Sequence, residues 1–170
     1  YGRDLQTGRA RTREEFAAIG ANGRAILYGI DWSPPLEWPD REYPFWLNTG
    51  RNVFHWHTRT KTGRAPLLQL SAPEGYAEIH PDDAARLKIQ MGDWVRVSSR
   101  RGEVIVRARL TDSVLPGMVF LPFHYGSVLE QEAANELTLD TWDQVSKQPH
   151  FKNGVCKLEK WLGKERDRDE

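Results

Sequence analysis

A small closed β-barrel, mainly β with peripheral helices and inserted loops, is the fold that this 170-residue sequence predicts. Three observations carry it. Short apolar runs, alternating or continuous, recur along the chain, and none is longer than one strand. Turns marked by Gly or Pro separate them. One compact, well-capped helix stands among them. The length suits a single domain with a real core.

The elements follow in chain order. "ARTREEFAAIG" reads as a short helix with Thr12 as N-cap, Glu15 three places on, and an end at Gly20. "SPPLEWPDREYP" has four prolines in twelve residues and sustains neither a helix nor a central strand. Residues 1–41 are therefore read as an extended arm lying on a partner or on upstream domains. Trp32 and Trp38 argue against a disordered leader, because disordered segments are poor in aromatics. "YPFWLNTGR" is a strand feeding a turn, and "PLLQLSAP" a second short strand between prolines. In "HPDDAARLKIQMGD", Pro81 suits the first helical position and Asp82 and Asp83 the positive end of the dipole. Gly92 should stop the helix, with Leu87 and Met91 facing the core. "DWVRVSS" and "EVIVRARL" form a hairpin around Arg100-Arg101-Gly102. Val95, Val97, Val104, Val106, Ala108 and Leu110 face inward, and Arg96, Arg107 and Arg109 face water. "LPGMVFLPFHYG" is a turn at Pro116-Gly117 and a buried strand through Phe123. The stretch from Leu129 to Lys152 is polar loop with one helical turn, and "VCKLEKW" is a last strand. The domain is bounded at 42–162, and 163–170 is a charged tail.

Charge is balanced, with 24 basic and 24 acidic residues, so nothing global points to nucleic acid or an anionic membrane. Its distribution is uneven. No acid lies between Glu42 and Glu74, while Arg51, Arg59, Lys61 and Arg64 all fall there. Such a window expects an anionic partner. The single cysteine, Cys156, can make no internal disulfide and no thiolate cage, and reads as a buried small hydrophobe. No apolar run approaches membrane-spanning length.

A self-sufficient enzyme is not expected. There is no G-x-S-x-G, no Walker A loop and no G-x-G-x-x-G. His55 and His57 would share a face if the segment were an extended strand, but H-x-H alone is a weak metal signal, and no metal ligand is assigned. "TGRNVFHWHTRTKTGR" suits binding better. Thr49, Gly50 and Arg51 combine a hydroxyl, close backbone approach and a planar donor fork. His55, Trp56 and His57 offer flat surfaces for a heterocycle. Together they fit a ligand with a pyrophosphate and a ring system; a solvated basic loop around a buried Trp56 is the competing reading.

Three separated stretches, in order, closely resemble one family: "LNTGRNVFHWHTRTKTGR", then "PEGYAEIHPDDAARLKIQMGDWVRVSSRRGEVIVRARLTDSVLPGMVFLPFHYG", then "AANELTLDTWDQVSKQPHFKNGVCKLEKW". The likeness is to the C-terminal domain of the molybdenum and tungsten bis-molybdopterin guanine dinucleotide oxidoreductases. These include formate dehydrogenases, nitrate reductases and dimethyl sulfoxide reductase. It covers roughly Glu42 to Trp161, and "NGRAILYGIDWSPPLEWPDREYPF" looks like the connector into that domain.

The resemblance implies a double-psi β-barrel that caps a larger catalytic chain and holds bis-molybdopterin guanine dinucleotide with Mo or W. The metal ligand and the Fe–S cluster would belong to that partner chain or to missing domains, with room for electron-transfer subunits. Neither nucleic acid nor a direct membrane span is expected, and the expected location is cytoplasmic rather than periplasmic. Carried over motif by motif, the cofactor-binding residues are Thr49, Gly50, Arg51, His55, Trp56, His57, Thr58 and Thr60 in the first loop. Phe123 and His124 follow in "LPFHYG", Asn135 in "ANELT" and Lys152 in "HFK". No residue is assigned a catalytic role. Many family members have glycine at the position of Arg59, which implies a local change in the loop. Two other readings stay open: a single-stranded nucleic-acid-binding barrel, and a docking subunit without cofactor contacts.

Overall fold

The computed structural model describes residues 7–10, 12–17, 29, 31–126, 133–144 and 146–163. They belong to two compact units, Tyr1–Pro34 and Pro35–Glu170. In the first, α1 (Arg13–Ala17) begins on a reciprocal cap. The Glu15 backbone N–H donates to Thr12 Oγ1 at 3.2 Å, and the Thr12 N–H donates to Glu15 Oε2 at 3.0 Å. The predicted end of that helix at Gly20 and most of the charged tail lie outside the described residues.

The second unit is a closed six-stranded barrel. Its strands are β1 (Phe45–Gly50), β2 (Tyr76–Ile79), β3 (Trp94–Ser98), β4 (Glu103–Leu110), β5 (Met118–Pro122) and β6 (Gly154–Lys160). The order around the barrel is β1-β5-β2-β4-β3-β6. β1 runs parallel to β5 and β2 parallel to β4; every other pairing is antiparallel. Exchanging β1 with β4, β2 with β5 and β3 with β6 returns the same order and the same parallel pairs. That twofold-related interleaving is the double-psi β-barrel.

Period-two alternation fills the interior. Phe45 and Leu47 from β1, Ala77 and Ile79 from β2, Val95 and Val97 from β3, and Val104, Val106 and Ala108 from β4 are all buried. So are Val119 and Leu121 from β5, and Cys156 and Leu158 from β6. Burying each Val, Leu, Ile or Phe side chain contributes about 1.5–3 kcal/mol. Cys156 reads as the sequence predicts: it is buried, and burial pushes its thiol pKa up. The predicted hairpin also forms, and its register sets Val95 opposite Val106 and Val97 opposite Val104.

Four local expectations need correction. "PLLQLS" is not a strand but a helix, α2 (Pro66–Ser71), with Pro66 in its first turn. A proline's fixed φ suits that position, and no strand partner is on offer, since Leu67 and Leu70 stand 79% and 77% exposed. The next barrel strand is instead the unforeseen β2. The helix α3 (Pro81–Leu87) stops at Lys88, which takes the left-handed conformation at φ 57, four residues before Gly92. Met91 therefore lies beyond the helix and is exposed, while Leu87 packs on the core. Finally, β5 ends at Pro122 rather than Phe123.

One buried carboxylate, Asp83, and one half-buried one, Glu37, lock peripheral pieces to the barrel. Asp83 on α3 accepts from Arg86 and from the Gly117 N–H, each at 2.6 Å, tying the helix to the turn before β5. Glu37 accepts from both guanidinium nitrogens of Arg101 at 2.7 and 3.1 Å and from the Val155 N–H at 3.2 Å. Trp38 packs edge-on against Trp46, and Asp40 pairs with Arg100 at 2.5 Å. Residues 37–43 thus lie against the barrel wall.

Candidate functional site

The end of β1 opens the site. Gly50 is required there by close approach: a Cβ would sit 2.6 Å from the Phe120 ring. Its carbonyl accepts the Phe123 N–H, which holds the strands' ends together. Thr49, the last inward position, is buried and donates its hydroxyl to the Phe151 carbonyl at 2.9 Å, while Lys152 Nζ donates to the Thr49 carbonyl. Three chain segments far apart in sequence are joined at this one strand end.

The loop from Arg51 to Lys61 then folds on a polar skeleton. Asn52 Oδ1 accepts the N–H groups of Phe54 and His55, an Asx turn. The Asn52 N–H donates to His124 Nε2 at 2.9 Å, and its amide donates to the Tyr125 hydroxyl at 3.1 Å. His124 Nδ1 donates to the His57 carbonyl at 2.5 Å. The Tyr125 hydroxyl and His55 Nε2 both donate to the Ala72 carbonyl, at 2.9 and 2.7 Å, and His55 Nδ1 meets Thr62 Oγ1 at 3.0 Å. His55 is 5% exposed, with both ring nitrogens committed inside the chain. Trp56, by contrast, is exposed and meets the His57 ring edge-on at 4.7 Å.

One cleft of about 370 Å³ gathers part of the predicted set: Thr58, Thr60, Phe123, His124 and Asn135, together with Arg59, Tyr125 and Gly126. The Thr58 and Thr60 hydroxyls lie 2.9 Å apart. Arg51 reaches toward this rim, its guanidinium 5.5 Å from the Trp56 ring and 5.8 Å from Phe123. Thr49, Gly50, His55, Trp56 and His57 do not line it. Lys152 lines a second hollow of about 510 Å³ with Asp143, His150 and Phe151.

Sequence reasoning missed Asn52 and Tyr125, and it placed Arg59 in the acid-free window without assigning it to the site. The signal for Asn52 was the Asx-turn propensity after Gly-Arg; Tyr125 adjoins the assigned His124 in "FHYG". Arg59 stands at φ 64, a region that glycine enters without cost. It stacks on Tyr125 at 4.7 Å and donates to the Pro73 carbonyl.

The electrostatics are one-sided. Elsewhere on the barrel Arg86, Arg96, Arg100, Arg101 and Arg109 each face a carboxylate. Among the described residues, Arg51, Lys61 and Arg64 face none. Burial, with Arg51 and Arg59 as neighbouring cations, holds the His124 pKa below its usual value. The site therefore combines the Arg51 guanidinium at its rim, Arg59 in its wall, hydroxyl donors, a side-chain amide and aromatic walls. That donor set fits a polyanionic ligand with a heterocyclic part. No group of His, Cys, Asp and Glu among the described residues could hold a metal ion.

Comparisons with known proteins place the chain among molybdopterin-binding domains. A family profile described as "Molydopterin dinucleotide binding domain" matches residues 45–155. A nitrate reductase of Symbiobacterium thermophilum is 45% identical over 82% of this chain and 18% of its own length. The alpha subunit of the F420-dependent formate dehydrogenase of Methanocaldococcus jannaschii is 42% identical over 82% of this chain and 20% of its own. The chain thus spans about a fifth of the length of these relatives. Among solved structures, acetylene hydratase from Pelobacter acetylenicus superposes with a TM-score of 0.66 at 18% identity. The match covers 86% of this chain and 22% of that one, a likeness of fold.

Proposed function

Since the chain belongs to the molybdopterin dinucleotide-binding domain family, we propose that it is the part of a larger molybdenum or tungsten oxidoreductase that grips a molybdopterin guanine dinucleotide. The parent enzyme is of formate dehydrogenase or nitrate reductase type. The supporting observation is the acid-free window, whose Arg51, Lys61 and Arg64 have no carboxylate partner among the described residues, set beside a cleft lined by Thr58, Thr60 and Asn135. The two named relatives, at 45% and 42% identity, support the formate and nitrate readings about equally.

Each residue has a task that follows from its chemistry. Arg51 offers two parallel N–H donors to a phosphate or pterin oxygen. The Thr58 and Thr60 hydroxyls donate without the cost of burying a charge. Asn135 presents a donor and an acceptor to one edge of a heterocycle, in the cleft that Phe123 also lines. Lys152, held on the Thr49 carbonyl, sets a point charge at the end of β1. His55 shapes the loop from inside. The bound cofactor would supply the two-electron redox chemistry; this chain would position it and exclude water. The metal ligand and Fe–S cysteines are assigned to the remainder of the enzyme.

The test is chemical. Release and oxidation of the cofactor from the intact enzyme should yield a fluorescent pterin and a guanine nucleotide; their absence would overturn the reading. Asn135→Ala should lower cofactor content at least about tenfold, as expected for losing hydrogen bonds to a charged or polar ligand, while shifting the unfolding midpoint little. Loss of fold with unchanged cofactor content would contradict the assignment. A single-stranded nucleic-acid role would show as oligonucleotide binding that weakens steeply with salt.

A further inference from the structure

The imidazole of His124 is 3% exposed, yet both its nitrogens point at the backbone of one loop. Nε2 accepts the Asn52 N–H at 2.9 Å, so the proton must sit on Nδ1, which donates to the His57 carbonyl at 2.5 Å. One ring therefore spans residues 52 and 57 as acceptor at one end and donor at the other. The loop it spans is held in conformations that disfavour a Cβ: φ is 45 at His57 and 64 at Arg59. Backbone in that region persists only where its surroundings over-determine it.

We propose that His124 is a positioning residue, a proton-sensitive clip that holds the Arg51–Thr60 loop in the shape that receives the dinucleotide. This rests on the binding role proposed above. Only the neutral Nδ1–H tautomer closes the clip. A proton added to Nε2 turns the acceptor into a donor facing the Asn52 N–H, and one of the two bonds is lost. The groups around the ring make that proton unwelcome. Arg51 and Arg59 on the loop are cations, and His55 stands edge-on at 5.9 Å. Phe123 and Tyr125 pack beside it and Asn135 lines the same cleft, none of them carrying a carboxylate. Only the His57 carbonyl favours the charged form. The clip therefore stays shut near neutrality and opens in mild acid.

The experiment uses the intact enzyme with its cofactor, as wild type, His124→Asn and His124→Phe, between about pH 8 and about pH 5, bracketing the ordinary histidine value. Two readouts are taken. One is amide hydrogen exchange of the 51–60 segment, corrected for the intrinsic pH dependence; the other is pterin dinucleotide retained after gel filtration. In wild type, exchange should rise about tenfold below about pH 6.5, the scale of one lost hydrogen bond, with retention falling in step. His124→Asn, which cannot titrate, should exchange fast at every pH and lose the acid step; His124→Phe should do the same. A variant that keeps the wild-type acid step, or a wild-type curve that is flat, overturns the clip. If neither variant accumulates, the wild-type curve decides alone. An acid-triggered rise confined to 51–60 supports the clip, and a flat one ends it. Absence of dinucleotide from the wild type at about pH 8 would instead refute the binding role, which the exchange readout does not need.

Discussion

His55 and Trp56 are neighbours in sequence with opposite fates. Both read from sequence as surfaces for a ligand. In the fold His55 is sealed, with Nε2 on the Ala72 carbonyl and Nδ1 on Thr62 Oγ1, whereas Trp56 is 60% exposed. Removing a buried ring that satisfies two polar partners should be costly: His55→Ala is expected to destabilise by about 2–3 kcal/mol. Trp56→Ala should change stability by about 0.5 kcal/mol or less and act instead on cofactor content. Urea unfolding midpoints of the two variants check the ranking; equal losses would mean that the tryptophan is structural too. No local pattern distinguishes these two residues. The partners of His55 lie at Thr62 and Ala72, brought within reach by how the loop folds back on α2.

At the scale of elements, strands with clear period-two alternation were legible and segments without it were not. The β3–β4 hairpin announces its register through four valines and a Gly-containing turn. "PLLQL" is equally apolar, but it has no partner strand and takes a helix that buries none of its residues. β2 was hidden because it is four residues long and only Ala77 and Ile79 mark its inner face. The end of α3 was misplaced for a different reason: a lysine occupies the left-handed cap that glycine would fill at less cost. Lys88→Gly should therefore raise stability by about 0.5–1 kcal/mol, the left-handed penalty of a Cβ less the entropy cost of glycine. An unchanged or lower urea midpoint would show that the Lys88 side chain compensates elsewhere.

For the whole molecule, acid should loosen the fold in two stages. The His124 pKa is held down, first by burial, so the unfolded chain binds the proton more readily than the folded one. The stability it contributes is complete above the ordinary histidine value of about 6.5 and is lost as pH falls below it. Glu37 follows. Burial raises its pKa, but the hydrogen bond and charge of Arg101, the Val155 N–H and Arg100 outweigh that and leave it below its usual value. Glu159 is likewise lowered, by Lys157 first and then Arg96. Their contribution is complete above about pH 4.5 and lost as pH falls through the depressed values. Urea midpoints against pH should show both descents. His124→Asn should remove the upper one and Glu37→Gln should blunt the lower. Glu37→Gln should also cost about 2 kcal/mol near neutrality, because Arg101 is left only partly partnered. By itself the sequence determined which residues seek the interior, where the hairpin turns, which window lacks acids and which family the motifs resemble, because each of these is written in contiguous residues. The tertiary structure alone decided which strands are parallel, that the His55 ring is sealed while Trp56 is exposed, and that Lys152 meets Thr49 across 103 positions. Closing a barrel chooses partners by long-range pairing, and no local run of residues carries the identity of a neighbour a hundred positions away.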